Sequence, residues 1–425
     1  MRVLRLAPYV YIENIYFRNK TGFGKSVWDI SRWQAKENID TYVFTYQLTD
    51  EKRVEEVTFL EHKLLKVIKH INLRTFKSNI GILKKSHINY KNKIRLLRYY
   101  ATEGYVKYII NRIKPDIIHI HGMGLVTLPY INASVGLGYP VILTLHGLNY
   151  FDANSSLNKF QKEIEKETIQ LLNRHNIPIT MVGTGVKEEI LRNFNVKYPE
   201  LLIPIVNGVD EDLFNNNLDK GYIKRKNNID ENYKVILSVG SLTKNKNQRM
   251  LIDALKLLSV KNRNNIKCFI IGDGPEKDNL QYMIDMNNLQ ESIILTGYKT
   301  VEQLGEYYCM ADLLVSTSLK EGFGRPFLEA FLNGIPVLTF ADLYAVKDIY
   351  NPQCMYIVNE RTANNLSRGI HDSIDKTWDK AVIKAWAKQF TWENVIQSYI
   401  KVYSRFCKNT IKTNNLIEEI NNLFL

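Results

Sequence analysis

Two carboxylates, Glu321 and Glu329, stand eight positions apart in the run Glu321-Gly-Phe-Gly-Arg-Pro-Phe-Leu-Glu329. The apolar stretch Leu313 to Ser316 ahead of it reads as a strand, and Gly322 and Gly324 supply the turn. Pro326 suits the first turn of a helix, where its missing N–H costs nothing. Glu329 then lies about one turn inside that helix, whose N-terminal amides and dipole can hold an anion. A carboxylate on each side of an anion site can bind the hydroxyls that flank a diphosphate, one on a sugar and one on a ribose. Two glutamates at this spacing alone are common on helix faces. The glycines, the proline and the following Ala330 to Val337 run make the segment specific.

Other residues able to do chemistry also sit where apolar runs end. Pro115-Asp-Ile-Ile-His-Ile-His-Gly122 and Thr144-Leu-His-Gly147 place His119, His121 and His146 near strand ends, where open α/β sheets bind ligands. His119 alternates with apolar residues and reads as structural. Thr21-Gly-Phe-Gly-Lys-Ser26 follows the first strand, and Gly22 and Gly24 would let backbone amides approach a phosphate. The complete phosphate-loop signature is absent, so this loop is a weak signal. Val239 to Gln248 is a strand-loop-helix segment with Lys246 just before the helix. None of the histidines has the spacing of a metal site.

Together these segments resemble glycosyltransferase family 4, a family of retaining enzymes with the GT-B fold, over nearly the whole chain. The match is weakest from residue 48 to 112 and after 408. The resemblance implies two Rossmann-like domains with parallel sheets facing a central cleft. It also implies transfer of a sugar from a nucleotide-diphosphate donor to a hydroxyl acceptor, in synthesis of bacterial cell-surface polysaccharide, glycolipid or a related glycoconjugate. Glu321 would hold sugar hydroxyls, Glu329 the ribose, and His146 the transferring sugar from the opposite domain, which makes His146 and Glu321 the catalytic pair. Lys246 would grip the diphosphate together with Gly22, Gly24, Gly322, Phe323, Gly324 and Arg325. Tyr298 and Lys299, in Gly297-Tyr-Lys-Thr300, fall where the family meets the nucleobase, and His121 would line the acceptor side.

The expected chemistry needs neither cofactor nor metal. Asp210-Glu-Asp212 could suggest a metal-dependent transferase, but it falls in Asn207-Gly-Val-Asp, which matches an interdomain segment of the family. Ser241 stands where the family carries Arg, with Lys244 or Arg325 as alternative sources of that charge. A GT-B nucleotide-sugar epimerase, a glycan phosphorylase and a non-catalytic partner subunit are the other readings. Presence of Glu321, Glu329, Lys246 and His146 argues against the last.

The elements that must position these residues alternate short apolar strands with helical patterns, which argues parallel sheets. In the first half the strands are Arg2 to Ala7, Thr41 to Tyr46, Ile117 to His121, Val141 to Leu145, Ile179 to Gly183 and Leu202 to Ile205, with a helix from Lys25 to Lys36. In the second they are Lys234 to Gly240, Lys267 to Ile271, Ile293 to Thr296, Leu313 to Ser316 and Pro336 to Phe340. The expected domains are an acceptor-binding domain at 1–214, a polar linker at 215–233 and a donor-binding domain at 234–388. A helix at 389–408 would cross back to the first domain. The tail at 409–425 is a weak amphipathic pattern, with packing, an oligomer contact and disorder all open.

At 425 residues the chain is long enough for two cores. Its four cysteines show no paired spacing and read as thiols of a reducing compartment. Gly122 to Phe151 lacks charge but is broken by Pro129, Asn132, Gly136, Gly138 and Pro140, which argues against a membrane span. Of the net charge of +13, nearly all arises between residues 62 and 102, which hold eleven Lys or Arg and no acid. Interleaved Leu and Ile make this segment amphipathic. An anionic membrane surface or a polyanionic acceptor fits it, and so does a solvated insertion. No nucleic-acid recognition motif accompanies the charge. The expected partners are a nucleotide-sugar and a glycan or lipid-linked acceptor. The expected place is the cytoplasm, with a peripheral position on the inner face of the plasma membrane left open.

Overall fold

The computed structural model describes residues 1–12, 15, 22–71, 90–146, 159–211, 218–258 and 265–408. Thr21, Asp212, the middle of the basic segment and the tail after 408 fall outside them. The chain divides into two compact units, Met1–Val206 with Val395–Leu425, and Asn207–Asn394.

The first unit is built on β1 (Arg2–Leu6), β2 (Asp40–Phe44), β3 (Lys52–Val54), β4 (Val57–Leu60), β5 (Ile117–His121), β6 (Val141–Leu145), β7 (Ile179–Met181) and β8 (Leu202–Pro204). Their order is β3-β4-β2-β1-β5-β6-β7-β8, parallel except for the edge pair β3–β4. β5 and β6 are buried at every residue, which is why their near-continuous apolar runs mark them so clearly. The chain builds outward from β1 through β2, then returns to the other side of β1 with β5, so the strand order reverses between β1 and β5.

The second unit carries β9 (Lys234–Val239), β10 (Ile266–Ile271), β11 (Ile293–Gly297), β12 (Leu313–Val315), β13 (Val337–Phe340) and β14 (Met355–Val358). All pairings are parallel, in the order β11-β10-β9-β12-β13-β14. This is the doubly wound dinucleotide-fold order, and its reversal lies between β9 and β12. Ile236, Leu251, Ile252, Ile270, Leu280, Leu313, Leu338 and Ile370 form the core between sheet and helices.

Three expectations change. Residues 218–233, expected to be linker, hold the helix Lys220–Lys226, capped by Asp219 and tied to the second unit. Ile223 and Ile229 are buried, Lys220 Nζ reaches Asp312 at 2.7 Å, and the buried Lys224 donates to the carbonyls of Glu231 and Tyr233. The second unit also begins earlier than expected, at Asn207. Gly208 lies against the Trp392 indole so closely that a Cβ would sit 2.4 Å from it, and Val209 pairs with Thr391. The first helix begins at Gly22, not Lys25, so Gly22, Phe23 and Gly24 form its opening turn.

The uncharged stretch after Gly122 resolves into the helix Thr127–Val135 and β6. Among the described residues no helix is long and apolar enough to cross a membrane.

Candidate functional site

In the second unit the loops after β9 and β12 meet at the strand-order reversal, where open α/β sheets bind ligands. Gly240 (φ 152°) and Gly272 (φ 146°) let the loop ends close: a Cβ on Gly272 would lie 2.0 Å from the Gly240 carbonyl oxygen. Asn245 then clamps the two loops together. Its Nδ2 donates to the Lys320 carbonyl (3.0 Å), its Oδ1 accepts from the Lys320 N–H (3.1 Å), and its own carbonyl accepts from the Leu319 N–H (2.7 Å). Thr317 Oγ1 donates to the Lys246 carbonyl (3.0 Å). Backbone fixed in this way aims two side chains at each other, and Lys246 Nζ pairs with Glu321 Oε2. Ser318 Oγ also donates to that oxygen (3.3 Å). Both partners keep about a fifth of their side-chain surface exposed, so the pair is reachable from solvent yet partly desolvated.

Gly324, in the left-handed region at φ 73°, caps the helix Arg325–Leu332, with Pro326 in its first turn. Glu329 sits one turn in, half-buried, and its Oε2 accepts from the hydroxyl of Tyr308 at 2.8 Å. Tyr308 is fully buried, and burial plus the Glu329 carboxylate push its phenol well above the ordinary value. It therefore stays a donor, and it fixes one Glu329 oxygen. Phe323 is buried with its ring 6.3 Å from Phe390. Its side chain is committed to packing, which leaves only backbone for a ligand. Arg325 and Gly322 are half-buried on the same loop. Ser241 is exposed, its carbonyl accepting from Gln248 (3.1 Å), and Lys244 is exposed nearby in sequence. Tyr298 is exposed at the end of β11, and Lys299 lies 5.9 Å from the Tyr307 ring centroid.

The first unit shows a different arrangement. Arg5 of β1 lies opposite His119 of β5 and is fully buried. Its Nη1 is 2.9 Å from His119 Nδ1 and 2.8 Å from His121 Nε2. Its Nη2 donates to Gln34 of the helix Gly22–Lys36, and to Tyr403 Oη (3.0 Å) of the helix Trp392–Lys408. His121 Nδ1 is 3.0 Å from His146 Nε2, with the two rings stacked at 5.3 Å. The Phe23 ring meets the edge of His146 at 4.8 Å. Gly122 (φ 81°) is required here, since a Cβ would lie 2.9 Å from Phe23. Gly24 packs against Tyr11, where a Cβ would be 2.9 Å from the Tyr11 nitrogen, whereas Gly22 is open. Burial, with the Arg5 charge, holds the His119 and His121 rings well below their ordinary value, so both are neutral.

His121, expected to line the acceptor side, is fully buried and its ring is taken up by Arg5 and His146. His119, read as structural from its alternation, is fully buried, with its ring between Arg5, Tyr403 and Thr144. Arg5, Asn245 and Tyr308 are contributors that sequence reasoning missed. Asn245 and Tyr308 lie in ordinary loop and helix patterns, and the one available signal for Arg5 was a cation inside an otherwise apolar strand. Asp210 is buried, and among the described residues no group of His, Cys, Asp or Glu side chains is placed to hold a metal ion.

A carboxylate–lysine pair, a second carboxylate on a helix start and a glycine turn suit a polyhydroxylated anion. A family model for glycosyl transferases group 1 matches residues 219–389, and one for glycosyltransferase family 4 matches residues 21–213. A poly(ribitol-phosphate) alpha-N-acetylglucosaminyltransferase of Staphylococcus aureus is 25% identical over 379 residues, covering 82% of this chain and 69% of that protein. An alpha-monoglucosyldiacylglycerol synthase of Streptococcus pneumoniae is 26% identical over 289 residues, 65% of this chain and 61% of that protein. The crystal structure of HepE from Anabaena, in complex with UDP, superposes with a TM-score of 0.69 at 17% identity, covering 95% of this chain and 100% of that one. With both units matched by their models and the fold shared end to end, the chain belongs to glycosyltransferase family 4, a GT-B glycosyltransferase of the EC 2.4 class.

Proposed function

We propose that this protein is a retaining, metal-independent glycosyltransferase that uses a nucleoside-diphosphate sugar. The observation that carries this is the Lys246–Glu321 pair with Glu329 at the strand-order reversal of the second unit. Lys246 and the start of the helix Arg325–Leu332 would stabilise the departing diphosphate, where negative charge develops. As the C1–O bond to the diphosphate breaks, the acceptor hydroxyl oxygen bonds to C1 on the same face of the sugar. Its proton passes to the leaving diphosphate oxygen. Glu321 holds sugar hydroxyls, Glu329 the ribose, and His146 of the first unit meets the transferring sugar. A hydroxyl acceptor on a poly(ribitol phosphate)-like polymer or a glycolipid is supported by the activities that the names of the two relatives give.

The test is calorimetry of nucleoside diphosphates and their sugars, followed by NMR of the anomeric configuration in the product. Glu329→Ala should weaken nucleoside-diphosphate binding by roughly 1.5–3 kcal/mol, the value of a hydrogen bond to a charged group. Unchanged affinity removes Glu329 from the site, and inversion at C1 removes the same-face mechanism.

A surface in the first unit favours an acceptor presented at an anionic bilayer. The helix Leu64–Lys69 exposes Leu64, Leu65 and Ile68 beside Lys69, and the helix Tyr90–Ile113 exposes Tyr90 and Ile94 beside Lys91. Gly104 seats one helix on the other, since a Cβ there would fall 1.8 Å from the His70 carbonyl oxygen. Part of the charge is already paired: Lys63 with Asp50 and Glu61, and Lys66 with Glu61. Co-sedimentation with anionic vesicles should be lost in a Lys69→Glu, Lys91→Glu, Lys93→Glu variant, because each basic residue near such a surface contributes about 1 kcal/mol. A wild-type protein that ignores anionic vesicles at low salt defeats this reading.

A further inference from the structure

Arg5 is an odd residue to find on the central strand of a parallel sheet. It is fully buried, and among the described residues no carboxylate lies within ion-pair distance of it. Burying a guanidinium without a counter-charge is costly unless its protons are taken up by acceptors. Nη1 and Nη2 find such acceptors in two imidazoles, a side-chain amide and a phenol, while Nε has none.

The chemistry of the donor then dictates the protonation of its neighbours. A guanidinium has only N–H donors and no lone pair to offer. His121 Nε2, 2.8 Å from Arg5 Nη1, must therefore be the bare nitrogen of a neutral ring. Its proton sits on Nδ1, and Nδ1 faces His146 Nε2 at 3.0 Å. That nitrogen must accept. A proton on His146 Nε2 would oppose the N–H of His121, and turning the His121 tautomer to relieve this would set an N–H against the guanidinium. The same logic fixes His119, whose Nδ1 faces Arg5 and the Tyr403 hydroxyl while Nε2–H points to Thr144 Oγ1. Thr144 in turn bonds to Thr180, so the polar row crosses β1, β5, β6 and β7 in one direction.

We propose that Arg5 and His121 are positioning residues that hold His146 as a neutral ring with its proton on Nδ1 and its bare Nε2 taken up by His121, so that Nε2 is never free to act as a base. This rests on the reading of His146 as the residue that meets the transferring sugar. A structural role alone, pinning the helix Trp392–Lys408 through Tyr403, would require Arg5 but would set no tautomer at His146.

The full-length protein labelled with 15N-histidine decides the point by long-range proton–nitrogen NMR, with His121→Asn and His146→Gln used to assign the signals. The expected wild-type spectrum shows Nδ1 protonated and Nε2 bare in both His121 and His146 at neutral pH. A proton on Nε2 of either ring, or a doubly protonated ring, overturns the proposal, and this measurement stands even where an Arg5 variant does not fold. Arg5→Gln, which can face a ring nitrogen with either a donor or an acceptor, should release the His121 tautomer. It should lower kcat about tenfold with nucleoside-diphosphate affinity unchanged, and Arg5→Lys, a donor only, should restore the tautomer and most of kcat. Released tautomers with wild-type kcat overturn the positioning role. Wild-type turnover in His146→Ala with the expected tautomers instead defeats the functional reading of His146 while the network stands.

Discussion

Each unit gathers its chemistry at the point where its strand order reverses, yet the two sets are held by opposite means. In the second unit the groups are charged, about a fifth exposed and paired with each other, Lys246 with Glu321. In the first they are buried, neutral rings arranged around one uncompensated cation, Arg5. A charged pair near solvent is a ligand's opportunity, since an incoming anion can take the lysine and hydroxyls can take the carboxylate. A buried neutral row offers nothing to exchange, and its worth lies in fixed orientation. Under the proposed function, the pair in the second unit would bind reversibly and the row in the first would set geometry.

The sharpest way to break this comparison is Glu321→Gln. If Glu321 only held sugar, the variant would lose turnover and leave nucleoside-diphosphate affinity untouched. Because Glu321 also occupies Lys246, the amide should free the lysine for phosphate and tighten nucleoside-diphosphate binding several-fold. Turnover should still fall by roughly 10²–10³, about 2.7–4 kcal/mol, the cost of losing one group aligned to the transition state. Isothermal titration and steady-state kinetics on the same preparation read both effects. Weaker nucleoside-diphosphate binding would mean that the pair orients Lys246 and does not compete for it.

The second effect in size is acid sensitivity confined to the first unit. His119 and His121 are held neutral by burial and by Arg5, with folded values below the ordinary value of about 6.5, and the facing groups Tyr399, Tyr403, Gln34 and His146 supply no carboxylate to reverse this. Below about pH 6.5 the unfolded chain binds protons that the folded chain refuses. The stability due to these rings is thus complete above that pH and declines as pH falls towards the folded values, by up to about 1.4 kcal/mol per pH unit for each ring. Hydrogen exchange between pH 7 and 5.5 should show opening free energies dropping in peptides over β5 and β6, with little change over β9 and β12. Equal decline in both units would remove the buried rings as the cause.

Sequence reading reached these two regions unequally, for physical reasons. β5 and β6 were placed to the residue because strands buried on both faces are continuous apolar runs. β3 and β4 were missed because Lys52–Val54 is a short, largely exposed edge that exists by pairing with its neighbour, and β14 was missed at the opposite edge of the other sheet. That Glu321, Lys246 and Glu329 belong to neighbouring loops was legible because each lies in or beside a glycine turn that follows a strand. The linker was misread because its helix is mostly polar and its two anchoring isoleucines carry little periodic signal. A cation inside an apolar strand marked Arg5 but not its role: its partners lie at positions 34, 119, 121 and 403, up to 398 residues away, and only the folded sheet brings them together.

The smallest expected effect sharpens the comparison from within the second unit, where one fully buried, neutral group does touch the site. Tyr308 is 1% exposed, its hydroxyl fixing Glu329 Oε2 at 2.8 Å, so it is the local counterpart of Arg5 behind His121. Tyr308→Phe keeps the packing of the helix Val301–Met310 and removes one oxygen. Glu329 is half-buried and can turn the released oxygen to water, so little desolvation penalty is left behind. The remaining cost is the orientation of one carboxylate, about 0.5–1.5 kcal/mol of nucleoside-diphosphate affinity, or roughly 2–10-fold in Kd. A double-mutant cycle isolates it. In a Glu329→Ala background Tyr308→Phe should have no further effect on affinity, because the carboxylate through which it acts is gone. An undiminished loss in that background would show that Tyr308 acts by packing, and would leave buried orientation of a site residue as a property of the first unit.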